Sequence, residues 1–121
     1  MKSYRAALGA RGEEIAAEFL RGQGYHILTR NFHTRYGEID LICRSGETTV
    51  FCEVKLRRSG TFGTPEEAIT PRKLERLTLA SQTFLAQRGL EDSDWRIDVV
   101  AIELDKGLSP VRSTLYQGVG I

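Results

Sequence analysis

From Tyr36 to Arg57, apolar and polar residues alternate on either side of a short polar break, Ser45-Gly46-Glu47-Thr48. A period of two is the mark of a β-strand, and a glycine-containing break of that length closes a hairpin. Strands over Tyr36–Arg44 and Thr49–Arg57 follow. Antiparallel pairing about Gly46-Glu47 sets Asp40 opposite Glu53, Glu38 opposite Lys55 and Ile42 opposite Phe51, all on one face. The other face carries Ile39, Leu41, Cys43, Val50, Cys52 and Val54, every one apolar. A slip of one residue would turn that apolar set towards water, so burial holds the register. The chain therefore cannot be all-helical; it builds a sheet with one hydrophobic side to cover.

The flanking segments supply the cover. Ile15, Ala16, Phe19 and Leu20 recur at helical spacing, with Glu14, Glu18 and Arg21 opposite, so the spacing predicts a helix from about Gly9 to Gly24. Glu13 lies three residues before Ala16 and seven before Leu20, at the edge of the apolar stripe. A carboxylate aimed inward there needs a hydrogen bond, a partner or a metal ion. Tyr25–Asn31 reads as a strand. Thr64-Pro65-Glu66-Glu67, after the Ser59–Thr64 loop, has the form of a helix start. Thr70-Pro71 opens a longer helix with Leu74, Leu77, Ala80, Phe84 and Leu85 on one stripe, running to about Arg88 and closed by Gly89. Arg96–Leu104 is apolar on both faces, as in a sheet interior, and Val111–Tyr116 is a last short strand. Helix, three strands, helix, strand is the order of an α/β domain whose mixed sheet is flanked by helices.

With 121 residues, 40% hydrophobic and 27% charged, the chain holds one domain's worth of sequence. No apolar run approaches the roughly 20 residues that span a bilayer. Met1 to Leu8 is basic without an apolar stretch of signal-peptide length, so the expectation is a soluble, cytoplasmic protein. Cys43 and Cys52 have neither the count nor the spacing of a disulfide framework or a zinc site, and read as buried apolar thiols. Net charge is +1, yet it is unevenly spread. Six basic and three acidic residues fall in Met1–Arg35, and again in Lys55–Arg76; Gly89–Asp105 carries six acidic residues and Arg96 alone. Such asymmetry suits one polyanion-facing side.

The charged face of the hairpin is where chemistry would sit. Two carboxylates facing each other repel unless positive charge lies between them. Mg²⁺ and Mn²⁺ favour oxygen ligands and are often held by one or two carboxylates, waters and a substrate phosphate. A lysine two residues after Glu53, on the same face, can orient a water or neutralise charge developing on a phosphate. Those are the parts that metal-assisted phosphodiester hydrolysis requires. Ordinary salt bridges among Glu38, Asp40, Glu53 and Lys55 on an exposed sheet would use the same residues.

Asp40 followed by Glu53-Val54-Lys55 resembles the catalytic core of the PD-(D/E)xK nuclease superfamily. A wider ordered set resembles the YraN-like family of small predicted endonucleases, related to archaeal Holliday-junction resolvases. It runs through Gly12-Glu13 with Ala16, Gly24-Tyr25, Arg30-Asn31, Gly37-Glu38-Ile39-Asp40-Leu41-Ile42, Phe51-Cys52-Glu53-Val54-Lys55 with Arg57, Phe62-Gly63, and Lys73. Ile39 stands where the superfamily's name has proline, a position that varies within it. The resemblance implies a restriction-endonuclease-like αβββαβ core and a DNA endonuclease dependent on Mg²⁺ or Mn²⁺. It also implies that Asp40 and Glu53 hold the metal, that Lys55 positions water or stabilises the transition state, and that Glu13 assists from the first helix.

Basic residues beside this centre would meet a nucleic-acid backbone: Arg57 and Arg58 at the end of the hairpin strand, and Arg72, Lys73 and Arg76 at the start of the second helix. A solvated basic helix face would look the same. Tyr36 suits a base stack or a strand end; His26 and His33 stand isolated; Trp95 suits a strand entrance or a dimer surface. The resulting expectation is a structure-selective DNA nuclease, with a homodimer suited to a branched junction's two symmetric scissile strands. A binding module that kept the fold without turnover is the alternative.

Overall fold

A computed structural model describes residues 4–58 and 69–120, with side chains from Gly9 onward. The predicted helix start at Thr64–Glu67, the preceding loop and Phe62-Gly63 lie outside the described residues. The order is α1 (Tyr4–Gly22), β1 (His26–Thr34), β2 (Gly37–Ser45), β3 (Thr48–Arg58), α2 (Pro71–Arg88), β4 (Trp95–Leu104) and β5 (Pro110–Tyr116). The strands form one sheet in the order β1-β2-β3-β4-β5. β3 and β4 are parallel, joined through α2, and the other neighbours are antiparallel. The protein is thus α/β with a five-stranded mixed sheet and two helices. Among the described residues no helix is long and apolar enough to cross a membrane.

The helix stripes read from the sequence meet opposite faces of the sheet. Ala16, Ala17 and Leu20 of α1 pack with Leu41, Cys43, Val50 and Cys52. Leu77, Ala80, Phe84 and Leu85 of α2 pack with Ile39, Ile42, Phe51 and Ile97. The Phe84 ring stands edge-on to Phe32 and Phe51, at centroid distances of 5.3 and 5.8 Å. Trp95 meets Phe51 in the same way, so it is a core residue at a strand entrance. This corrects the reading of the hairpin as apolar on one face only. Ile42 and Phe51, on the face of Asp40 and Glu53, are wholly buried beneath α2, and Ile39 belongs to that cluster too. A crossover helix must lie on the sheet it serves, and its stripe needs apolar partners there.

α2 ends as its sequence predicts. Thr70 caps the start, its hydroxyl accepting from the Lys73 N–H at 3.1 Å with Pro71 following. Gly89 takes the left-handed conformation, φ 65°, that terminates the helix. Gly12 of α1 faces Leu56, where a β-carbon would collide with the side chain, so α1 sits close over β3. Cys43 and Cys52 are free and buried; their contact, with burial, pushes the Cys52 thiol up.

A second polar cluster ties the termini of the sheet together. Asp98, fully buried, accepts from the Tyr25 hydroxyl (2.9 Å), Arg96 Nε (3.0 Å) and the Gly118 N–H (3.0 Å). Arg96 Nη2 and Gln117 Nε2 donate to the Tyr25 oxygen. Every carboxylate oxygen here has a donor, which marks the cluster as structural.

Candidate active site

The β2–β3 ladder runs from Ser45–Thr48 to Leu41–Cys52 and includes the expected Ile42–Phe51 pair. The next positions, Asp40 and Glu53, do not continue it. Asp40 Oδ2 accepts instead from the Val54 N–H at 2.8 Å, a side chain taking the place of a backbone acceptor. The Asp40–Glu53 and Glu38–Lys55 ladder pairs expected from the sequence are therefore absent, and the strands part where the carboxylates converge. β3 remains paired with β4 throughout, with Glu53 beside Val99 and Lys55 beside Ala101, so its site residues stand on a fixed strand.

Glu53 is 7% exposed. Lys55 Nζ lies 3.9 Å and Lys73 Nζ 3.7 Å from its Oε1. Its Oε2 is buried and has no hydrogen-bond partner among the described residues. Burial, then repulsion from Asp40, pushes the Glu53 carboxyl up to about 7 against the pull of Lys73 and Lys55. Asp40 is raised as well, by burial first and by Glu38, while the Val54 N–H opposes the rise. Glu13 reaches the same field from α1. Its carboxyl is raised by burial first and by Asp40 and Glu38, while a hydrogen bond from Asn31 opposes this. Asn31 has φ 52°, a left-handed conformation that asparagine adopts more readily than most residues. Beside it, Glu14 is paired with Arg30 at 2.6 Å and is thereby lowered.

The donor set fits a hard divalent cation. Two oxygen-bearing side chains converge, one with an orphaned buried oxygen, and positive charge is what that oxygen and both raised carboxyls lack. Among the described residues no group of three or more His, Cys, Asp or Glu could hold a metal, so the remaining ligands of such an ion would be water and substrate oxygen.

The sequence-derived candidates are not all placed together. Asp40, Glu53 and Lys55 share the centre, with Glu13 at its edge. Lys73, expected only as a backbone contact on the helix, reaches the carboxylate itself. Arg72 and Arg76 line a cavity next to it. Arg57 and Arg58 end β3 beside Glu103 and Leu104 of β4. Asn31 and the Val54 N–H carry no periodic signal of their own, though an inward-aimed Glu13 did call for a partner. A larger cavity, ≈490 Å³, lies at the hairpin-turn end near Gly46 and Glu47 and contains none of these groups.

Fold and site together define a small mixed α/β protein with a centre of two carboxylates, Glu53 buried, and two lysines. The chain belongs to the uncharacterised protein family UPF0102, whose model matches residues 12–102, a span holding every residue of that centre. It is 50% identical over 104 residues to a UPF0102 protein of Syntrophomonas wolfei, covering 86% of this chain and 90% of that one. It is 47% identical over 110 residues to one of Nocardia farcinica (88% and 84% covered). With a UPF0102 protein of Geobacter sulfurreducens the identity is 44% over 107 residues (88% and 81%).

Proposed function

We propose that the chain is a Mg²⁺- or Mn²⁺-dependent endonuclease of the PD-(D/E)xK type, with a restriction-endonuclease-like αβββαβ core, cutting branched or junction DNA. The observation that carries this is Glu53: a buried carboxylate with an orphaned oxygen beside Asp40, flanked by two lysines. A structural ion pair would satisfy both its oxygens.

Asp40 and Glu53 are the residues that would hold the ion. Bound there, a divalent cation would polarise the scissile phosphodiester and lower the pKa of a bound water. The Asp40 carboxylate is held in place by the Val54 N–H, so its free oxygen has a fixed direction. Lys55, on the same strand face as Glu53, carries an ammonium into the centre that can orient the attacking water and offset charge on the phosphate. Lys73 brings a second positive charge to the centre from α2, which would offset charge on a substrate phosphate. Glu13 stands at the edge of the centre, its carboxyl raised by burial and by Asp40 and Glu38, where it would assist from α1.

The deciding experiment is cleavage of labelled four-way, flap, single-stranded and duplex DNA with Mg²⁺ or Mn²⁺ by the parent, Asp40→Asn and Glu53→Ala proteins. Metal-dependent cutting by the parent, lost in both variants while their circular dichroism is unchanged, is the expected result. Equal cutting by all three would remove the site from the chemistry; no cutting by the parent at any metal concentration would remove the activity.

A further inference from the structure

Beside the carboxylates lies a second concavity. Between the β1–β2 turn and the first half of α2 is a cavity of ≈350 Å³, lined by Arg35, Tyr36, Arg72, Glu75, Arg76 and Leu79. A smaller one of ≈90 Å³ shares Tyr36 and Arg76 with it and adds Glu38 and Lys73. Lys73 is also the side chain that reaches Glu53. The smaller cavity thus lies between the larger one, with which it shares Tyr36 and Arg76, and the lysine that reaches Glu53.

The larger cavity brings cationic and aromatic side chains together. Three guanidiniums face one carboxylate, and they come from two elements distant in sequence rather than from one helix face. Among the described residues none of the three makes an ion pair, and Glu75 is the one carboxylate in the cavity's lining, so positive charge is in excess there. An anion between them would relieve it, and arginine's planar fork suits phosphate. Arg35 Nη2 donates to the Tyr36 hydroxyl at 2.6 Å, and its guanidinium lies 4.8 Å from the ring centroid, which holds the ring at the cavity's side. Leu79 adds an apolar surface one turn beyond Glu75 and Arg76. Such a cavity is at the lower end of small-ligand sites, which run from roughly 300 Å³.

We propose that this cavity seats one unpaired nucleotide of the DNA strand that enters the carboxylate centre. Arg72 and Arg76 hold its phosphate, the Tyr36 ring stacks on its base, and the Glu75 carboxylate accepts from the amino group of that base. Inside a duplex both faces of a base are already stacked, whereas an unpaired base can turn one to an aromatic ring, so the site selects a flap or splayed arm over continuous duplex. The proposal rests on the nuclease reading for the strand's destination, but its test does not require turnover.

The test is fluorescence anisotropy with the full chain in chelator, using a flap DNA with an unpaired arm and a blunt duplex of equal length. The parent binds the flap more tightly; Tyr36→Ala weakens flap binding by about tenfold, the scale of one base–aromatic stack, and leaves duplex binding unchanged. Tyr36→Phe keeps the ring and the affinity. Arg76→Gln lowers the salt dependence of flap binding by about one phosphate contact. Equal flap and duplex binding by the parent, equal losses on both DNAs in Tyr36→Ala, or no loss at all would each overturn the proposal. A Tyr36-dependent flap preference without cleavage in any metal would overturn the nuclease reading and leave this site standing.

Discussion

Replacing Glu53 with glutamine should stabilise the metal-free protein, and the size of the gain follows from where Glu53 sits. Its carboxyl ionises at about 7 in the fold against 4.5 in a free chain, because it is buried and Asp40 repels it. Each pH unit of difference is worth about 1.4 kcal/mol. Between pH 4.5 and 7 the native state keeps a proton that the unfolded chain has released, so stability falls as pH rises through that window. Below 4.5 both states are protonated and the full contribution is present; above 7 both are ionised and about 3 kcal/mol has been lost. Solvent screens little of this, since Glu53 is 7% exposed. Glutamine copies the shape of the neutral acid and never ionises. Glu53→Gln should therefore exceed the parent by about 3 kcal/mol at pH 8, equivalent to a Tm higher by roughly 10 °C, and by less than about 1 kcal/mol at pH 5. Urea and thermal melts in chelator at the two pH values measure both gaps. Added Mg²⁺ should raise the parent's Tm at pH 8 and leave the variant's nearly unchanged. A variant less stable than the parent at pH 8, or a gap that does not shrink at pH 5, would refute the account of Glu53 as a strained, metal-seeking carboxylate.

Lys73→Met removes one of the two charges that hold the Glu53 carboxyl down, so the pH at which Mg²⁺ begins to stabilise the protein should move upward, as read by thermal shift across pH 6 to 9. Asp98→Ala strips the partner from Arg96, Tyr25 and the Gly118 N–H in a buried setting, and should cost about 3 kcal/mol or more in urea unfolding. Phe84→Ala removes the ring that meets Phe32 and Phe51 beneath the sheet, and should cost about 3–5 kcal/mol by the same measurement.

Much of this protein is legible in its sequence, because the signals involved are local. A period of two places Asp40, Glu53 and Lys55 on one face of one hairpin, and neither packing nor topology is needed to see it. Thr70, Pro71 and Gly89 bracket α2 through bonds and dihedrals within a turn of each residue. The apolar stripes of α1 and α2 and the two-sided burial of β4 are written in the same way.

Tertiary structure alone decided the rest, for one physical reason: periodicity says which face of an element is apolar, not which element will cover it. Nothing in the alternation of β2 and β3 shows that Ile42 and Phe51 lie under α2 while Asp40 and Glu53, on the same face, stay at its margin. That partial cover raises the two carboxyls, and the α2 that provides it also carries Lys73 to Glu53. The parting of β2 and β3 at Asp40, the Asn31 contact to Glu13 and the Tyr36 cavity against α2 likewise arise between elements, where the sequence holds the residues but not their meeting.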